Sequence, residues 1–70
     1  MWIIFQVDGY SVCAKQYARR SRWGINGGHI SKLEMRKDGQ IAVSYDRGWG
    51  IKPQNEMDKA ALDKVLAEFN

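Results

Sequence analysis

Cysteine, proline and histidine each occur once in the seventy residues. With Cys13 alone, no intramolecular disulfide can form. A domain this small that lacks disulfides is expected in a reducing cytosol rather than outside the cell. One histidine and one cysteine far apart, with scattered acids, do not make the clustered ligand set that a metal needs. No cofactor is indicated either. Gly24-Ile25-Asn26-Gly27-Gly28 is not followed by a Lys-Ser/Thr pair or a helix, so it is not a phosphate-binding loop. His29 with Cys13 or Ser31 has no orienting third group, which leaves no nucleophilic pair. It is simplest as a surface residue at a strand start, and Cys13 as a small apolar residue. No catalytic residue is therefore expected, and the chain does not read as an enzyme. Long apolar runs are also missing, so no membrane span is expected. Met1 to Val7 is apolar, but it is short, lacks a basic flank and meets Asp8-Gly9 at once. It does not read as a secretion signal.

What is present is one small domain, residues 1–70, with an ordinary hydrophobic content of 44% and charged content of 27%. Such a chain buries only about 60% of its unfolded surface, which makes stability marginal and leaves no room for a deep cleft. The net charge of +3 is unevenly placed. Residues 1–54 hold nine Lys and Arg against four acids, a balance of +5, whereas residues 55–70 hold two Lys against four acids, a balance of −2. A basic body with an acidic tail suits an anionic partner.

Turn chemistry and periodicity predict the elements. Trp2 to Val7 and Tyr10 to Tyr17 flank Asp8-Gly9, the signature of a two-residue type I′ hairpin. That turn pairs Val7 with Tyr10, Phe5 with Val12 and Ile3 with Ala14, which forms one apolar face. The other face carries Trp2, Ile4 and Gln6 opposite Lys15, Cys13 and Ser11. A loop is expected from Ala18 to Gly28, with a turn at Asn26-Gly27. His29 to Arg36 and Ile41 to Tyr45 read as the third and fourth strands. A three-residue loop, Lys37-Asp38-Gly39, pairs Met35 with Ile41 and Leu33 with Val43 and keeps apolar residues together. A two-residue turn would set Ile41, Val43 and Tyr45 on the charged face of Lys32, Glu34 and Arg36. Residues 46–53 read as a connector. Asn55 then caps a helix, with Asp58 as a capping-box relative. Met57, Ala61, Leu62, Val65, Leu66 and Phe69 form its apolar stripe, while Glu56, Asp58 and Asp63 are solvated or capping. The expected fold is α+β: a four-stranded antiparallel sheet of two hairpins with a C-terminal helix packed on one face, ββββα.

The open sheet face and the central loop are the candidate binding surface. Trp2, Lys15 and Tyr17 lie on that face, Arg19, Arg20, Arg22 and Trp23 in the loop, and Lys32 and Arg36 on the third strand. Aromatic rings edged by cations stack bases and track phosphates, which fits a single-stranded RNA or DNA module. The same residue types are enriched in protein-binding hot spots, so a host protein or ribonucleoprotein partner fits equally. The plainer alternative makes the tryptophans packing and the charges a solvated face.

Val7-Asp8-Gly9-Tyr10 with Ala14-Lys15, then Gly24 to Leu33, then Tyr45-Asp46-Arg47-Gly48-Trp49, resembles a family of small uncharacterised proteins of Firmicutes and their phages and mobile elements. The resemblance spans most of the chain. It implies a bacterial or phage origin and a cytoplasmic setting, and supplies no activity, cofactor or site residue. The Arg19-Arg20-Ser21-Arg22 run is more basic than that family leads one to expect. By analogy with small phage-borne proteins, the resemblance implies a non-catalytic accessory protein that binds one host component, such as an anti-CRISPR-like inhibitor of a defence complex.

Overall fold

A computed structural model describes residues 1–70. The strands are β1 (Trp2–Val7), β2 (Tyr10–Gln16), β3 (Ile30–Lys37), β4 (Gln40–Asp46) and β5 (Trp49–Ile51), and the helix is α1 (Glu56–Phe69). The class is α+β with a C-terminal helix, as expected, but the sheet has five strands rather than four. They lie in chain order, and every neighbouring pair is antiparallel. No helix is long and apolar enough to cross a membrane.

The first hairpin follows its turn. Asp8 and Gly9 both take positive φ, 50° and 84°, and every pair from Trp2↔Lys15 to Val7↔Tyr10 is in the expected register. The second hairpin corrects the expectation. Its turn is the two-residue Asp38-Gly39, φ 53° and 76°, with Lys37 opposite Gln40 and Arg36 opposite Ile41. One extra residue, Ala42, then bulges from β4, and beyond it Met35 meets Val43 and Leu33 meets Tyr45. The bulge reconciles tight-turn chemistry with the apolar match: it shifts the register by one and returns Val43 and Tyr45 to the core face. Ile41, before the bulge, stays exposed.

The fifth strand lies within the expected connector. Arg47 takes a left-handed φ of 57°, the chain reverses at Arg47-Gly48, and Trp49 and Ile51 pair with Tyr45 and Ser44. Three residues with one glycine before them and another in their middle carry no readable alternation, so only the neighbouring strand defines this one.

The helix covers the face that carries Val12, Ala14, Leu33, Met35, Val43 and Tyr45, and adds Ala61, Leu62 and Val65 to that core. Burying Leu62 and Val65 stabilises by about 1.5–3 kcal/mol each. Met57 is exposed, contrary to the expected stripe, and Asp58 is buried in its place. The Asp58 carboxylate accepts from the Tyr10 hydroxyl and, at 3.3 Å, from the Gln54 N–H, while Asn55 Oδ1 accepts from the Asp58 N–H at 2.8 Å. The capping pair thus also ties the start of α1 to β2. Periodicity alone cannot show this, because an acidic residue enters the core only when its partner is known.

Candidate nucleic-acid interface

The loop from Ala18 to Gly28 is pinned at its base and open at its tip. A short 3₁₀ turn, Ile25–Gly27, drives Ile25 fully into the core. The Asn70 amide bridges two backbones. Its Oδ1 accepts from Ile30 N–H and its Nδ2 donates to Ile25 C=O, both at 2.9 Å. The Tyr45 hydroxyl donates to the Trp23 carbonyl at 2.9 Å, and the Ser21 hydroxyl accepts from Trp23 N–H at 3.1 Å. Arg19 to Trp23 are thereby held on the surface beside the open sheet face.

A second bulge shapes that face. Lys15 lies opposite Lys32 and Gln16 opposite Ile30, so Ser31 is the extra residue on β3. The Ser31 carbonyl accepts from Arg47 N–H at 2.9 Å, which brings the β4–β5 turn against β3. The result is a groove of about 560 Å³ walled by Lys15, Tyr17, Arg19, Arg20, Trp23, Lys32 and Arg47, with Ser21 and Ser31 between them.

Its electrostatics are lopsided. Lys32 and Arg47 share Asp46, at 3.9 and 3.5 Å. Lys15, Arg19 and Arg20 make no ion pair. The Lys15 ammonium instead lies 5.8 Å from the Trp2 ring centre and 5.4 Å from that of Tyr17, both cation–π distances. Hydrogen bonding to Lys15 lowers the Tyr17 phenol below its ordinary value against an opposing push from burial, and the Lys15 charge, Ser31 and Lys32 act in the same downward direction. Trp2 and Trp23 are more than half exposed, at 54% and 51%. Trp49 packs edge-on against Tyr45 at 5.0 Å.

The sequence-derived candidates separate accordingly. Lys15, Tyr17, Arg19, Arg20, Trp23 and Lys32 converge on the groove. Trp2 adjoins it across Lys15, in the sheet row Trp2, Lys15, Lys32, Asp46. Arg22 lies outside the lining and stacks on the Trp23 ring at 4.5 Å. Arg36 is not part of the site: it is two rows away and its Nε donates to Glu34 at 2.6 Å. Arg47 was missed, because its turn reads as a connector until β5 is recognised. His29 lies with its Nδ1 3.0 Å from the Tyr17 carbonyl.

A second trough of about 530 Å³ crosses the same sheet face from Trp2 past Cys13, Glu34 and Ser44 to Gly50, and shares Lys32 with the groove. The surface therefore offers flat aromatic area beside unpaired cations, on a sheet face that no helix covers. No curated protein and no solved structure matches the chain. The model for Domain of unknown function (DUF7678) matches residues 1–70, and the chain belongs to that family.

Proposed function

We propose that the protein binds single-stranded nucleic acid along the basic groove and the open sheet face. The observation that supports this reading is the grouping of Lys15, Arg19 and Arg20, none of them ion-paired, with the exposed rings of Trp2, Tyr17 and Trp23. Cations without an acidic partner are free to displace counterions from phosphates. Exposed rings accept unpaired bases, each stack contributing about 1–3 kcal/mol, and a duplex hides those base faces. The role is non-catalytic.

Tryptophan fluorescence tests the reading. Short single-stranded DNA or RNA quenches Trp2 and Trp23 at low salt. Neutralising three to five phosphates gives a slope of log affinity against log salt of about −2 to −3.5. Changing Arg19→Ala and Arg20→Ala together makes that slope shallower by about 1.4. Folding is unaffected, because each exposed substitution shifts stability by less than about 0.5 kcal/mol. Arg36→Ala leaves the slope unchanged. Absence of quenching at low salt refutes the proposal and leaves the phage-borne accessory role, with a host defence protein as partner, to be pursued by affinity capture.

A further inference from the structure

The two edges of the sheet are unlike. The β5 edge is three residues long and is followed by Lys52 and Pro53. Shortness, a lysine and a proline are the devices that keep an edge from pairing with another chain. The β1 edge has none of them. Trp2–Val7 is six residues of Trp, Ile, Ile, Phe, Gln and Val, without charge, proline or bulge. Its even positions leave Ile4 79% and Trp2 54% exposed. An uncharged apolar strand at an open edge is a template for strand addition.

The free backbone groups can be assigned. Met1 and Gln16 exchange both backbone bonds, at 2.7 and 2.8 Å. In an antiparallel pair such exchanges alternate, so odd-numbered β1 residues bond to β2. Trp2, Ile4 and Gln6 therefore direct their N–H and C=O groups outward.

We propose that β1 pairs antiparallel with β1 of a second copy of this chain about a two-fold axis at Ile4. Ile4 then exchanges both backbone bonds with Ile4 of the second copy, and Trp2 does so with Gln6. This register uses all three outward-facing residues. A shift of two residues one way sets Trp2 against Asp8, and the other way leaves Gln6 unpaired. On the open face the two Ile4 side chains meet. On the helix face Ile3 meets Phe5, both already half-buried against the core. The contact is isologous and consumes the edge, so it closes at a dimer instead of growing into a fibre. It also joins the two open faces into one continuous surface carrying both basic grooves. The dimer does not depend on what those grooves bind.

Sedimentation and cross-linking test it. The native chain sediments at twice the 8.0 kDa of one chain, with a melting temperature that rises with protein concentration. Ile4→Lys sediments as one chain, keeps its circular dichroism spectrum and loses the concentration dependence. Cys13→Ser is the background for the cross-link, because Cys13 faces Ile4 within the same chain. In that background Ile4→Cys forms an intermolecular disulfide under mild oxidation, since a bonded antiparallel pair has Cα atoms about 5.5 Å apart. Gln6→Cys does not, because the two thiols are four residues out of step, about 13 Å. A monomer at every concentration overturns the proposal. So does a dimer that survives Ile4→Lys, or a Gln6→Cys variant that cross-links as readily as Ile4→Cys.

Discussion

Removing the Asn70 amide should loosen the loop that carries the groove. Asn70→Ala leaves the Ile30 N–H without its partner and removes one of two donors to the Ile25 C=O, which keeps the Gly28 N–H at 2.9 Å; both residues are fully buried. An orphaned buried backbone group costs about 1–3 kcal/mol, and the Ile30 N–H sets the loss in that range. Seventy residues carry a total stability of only about 3.5–10 kcal/mol. At about 4–8 °C per kcal/mol for a domain of this size, melting falls by at least about 4 °C. Gly28 supplies an internal control. A Cβ built on Gly28 runs into the Asn70 amide, and its φ of −97° suits any residue, so the obstacle is space alone. Gly28→Ala is therefore destabilising by itself and harmless once Asn70→Ala has cleared the space. The two changes couple by about 1–2 kcal/mol, in the range found for residues in contact. Thermal melts of the four proteins by circular dichroism measure this directly. Hydrogen exchange at Ile30 shows whether the local bond is the one lost. Additive single effects, or an Asn70→Ala protein that melts like the native one, would refute the account of how the loop is anchored.

Val65→Asp tests the helix docking. It sets an unpaired charge in the core at a cost of about 3–5 kcal/mol, and it unfolds the domain or leaves it barely folded. A soluble variant with native melting would mean that the helix does not hold the sheet. The Tyr10 hydroxyl, held by Asp58, buried, and facing the negative charges of Asp58 and Asp8, has its pKa pushed from 10.0 up to about 12. The unfolded phenol ionises first, so this contribution to stability is complete below pH 10 and is lost as pH rises towards 12. Urea melts across that range should show the fall, and Tyr10→Phe should abolish this component. The lysine-paired Tyr17 moves the opposite way and ionises below the ordinary tyrosine range in a spectrophotometric titration.

Where structure is local, the residues alone determined it. Asp8-Gly9 needs two left-handed positions, and from that turn the whole register of β1 on β2 follows. Asn55 supplies an acceptor for the open N–H groups of a helix start, and the cap lies where the spacing put it. The segregation of cations to the sheet and acids to the tail is a matter of composition. So was the grouping of Lys15, Tyr17, Arg19, Arg20 and Trp23, which are close in sequence as well as in space. Tertiary structure decided what depends on a neighbour across a gap. Ala42 bulges because turn chemistry and core facing demand different registers, and Ser31 because Ile30 and Leu33, three residues apart, both face the core; each conflict is settled only between strands. Trp49–Ile51 becomes a strand because β4 offers it an edge. Arg47 joins the groove because its backbone reaches Ser31, and Arg36 is lost from it because Glu34 holds it two rows away. Asp58 enters the core because a tyrosine 48 positions earlier satisfies it. Propensity and periodicity act over a few residues, whereas packing and buried hydrogen bonds act wherever the chain returns to itself.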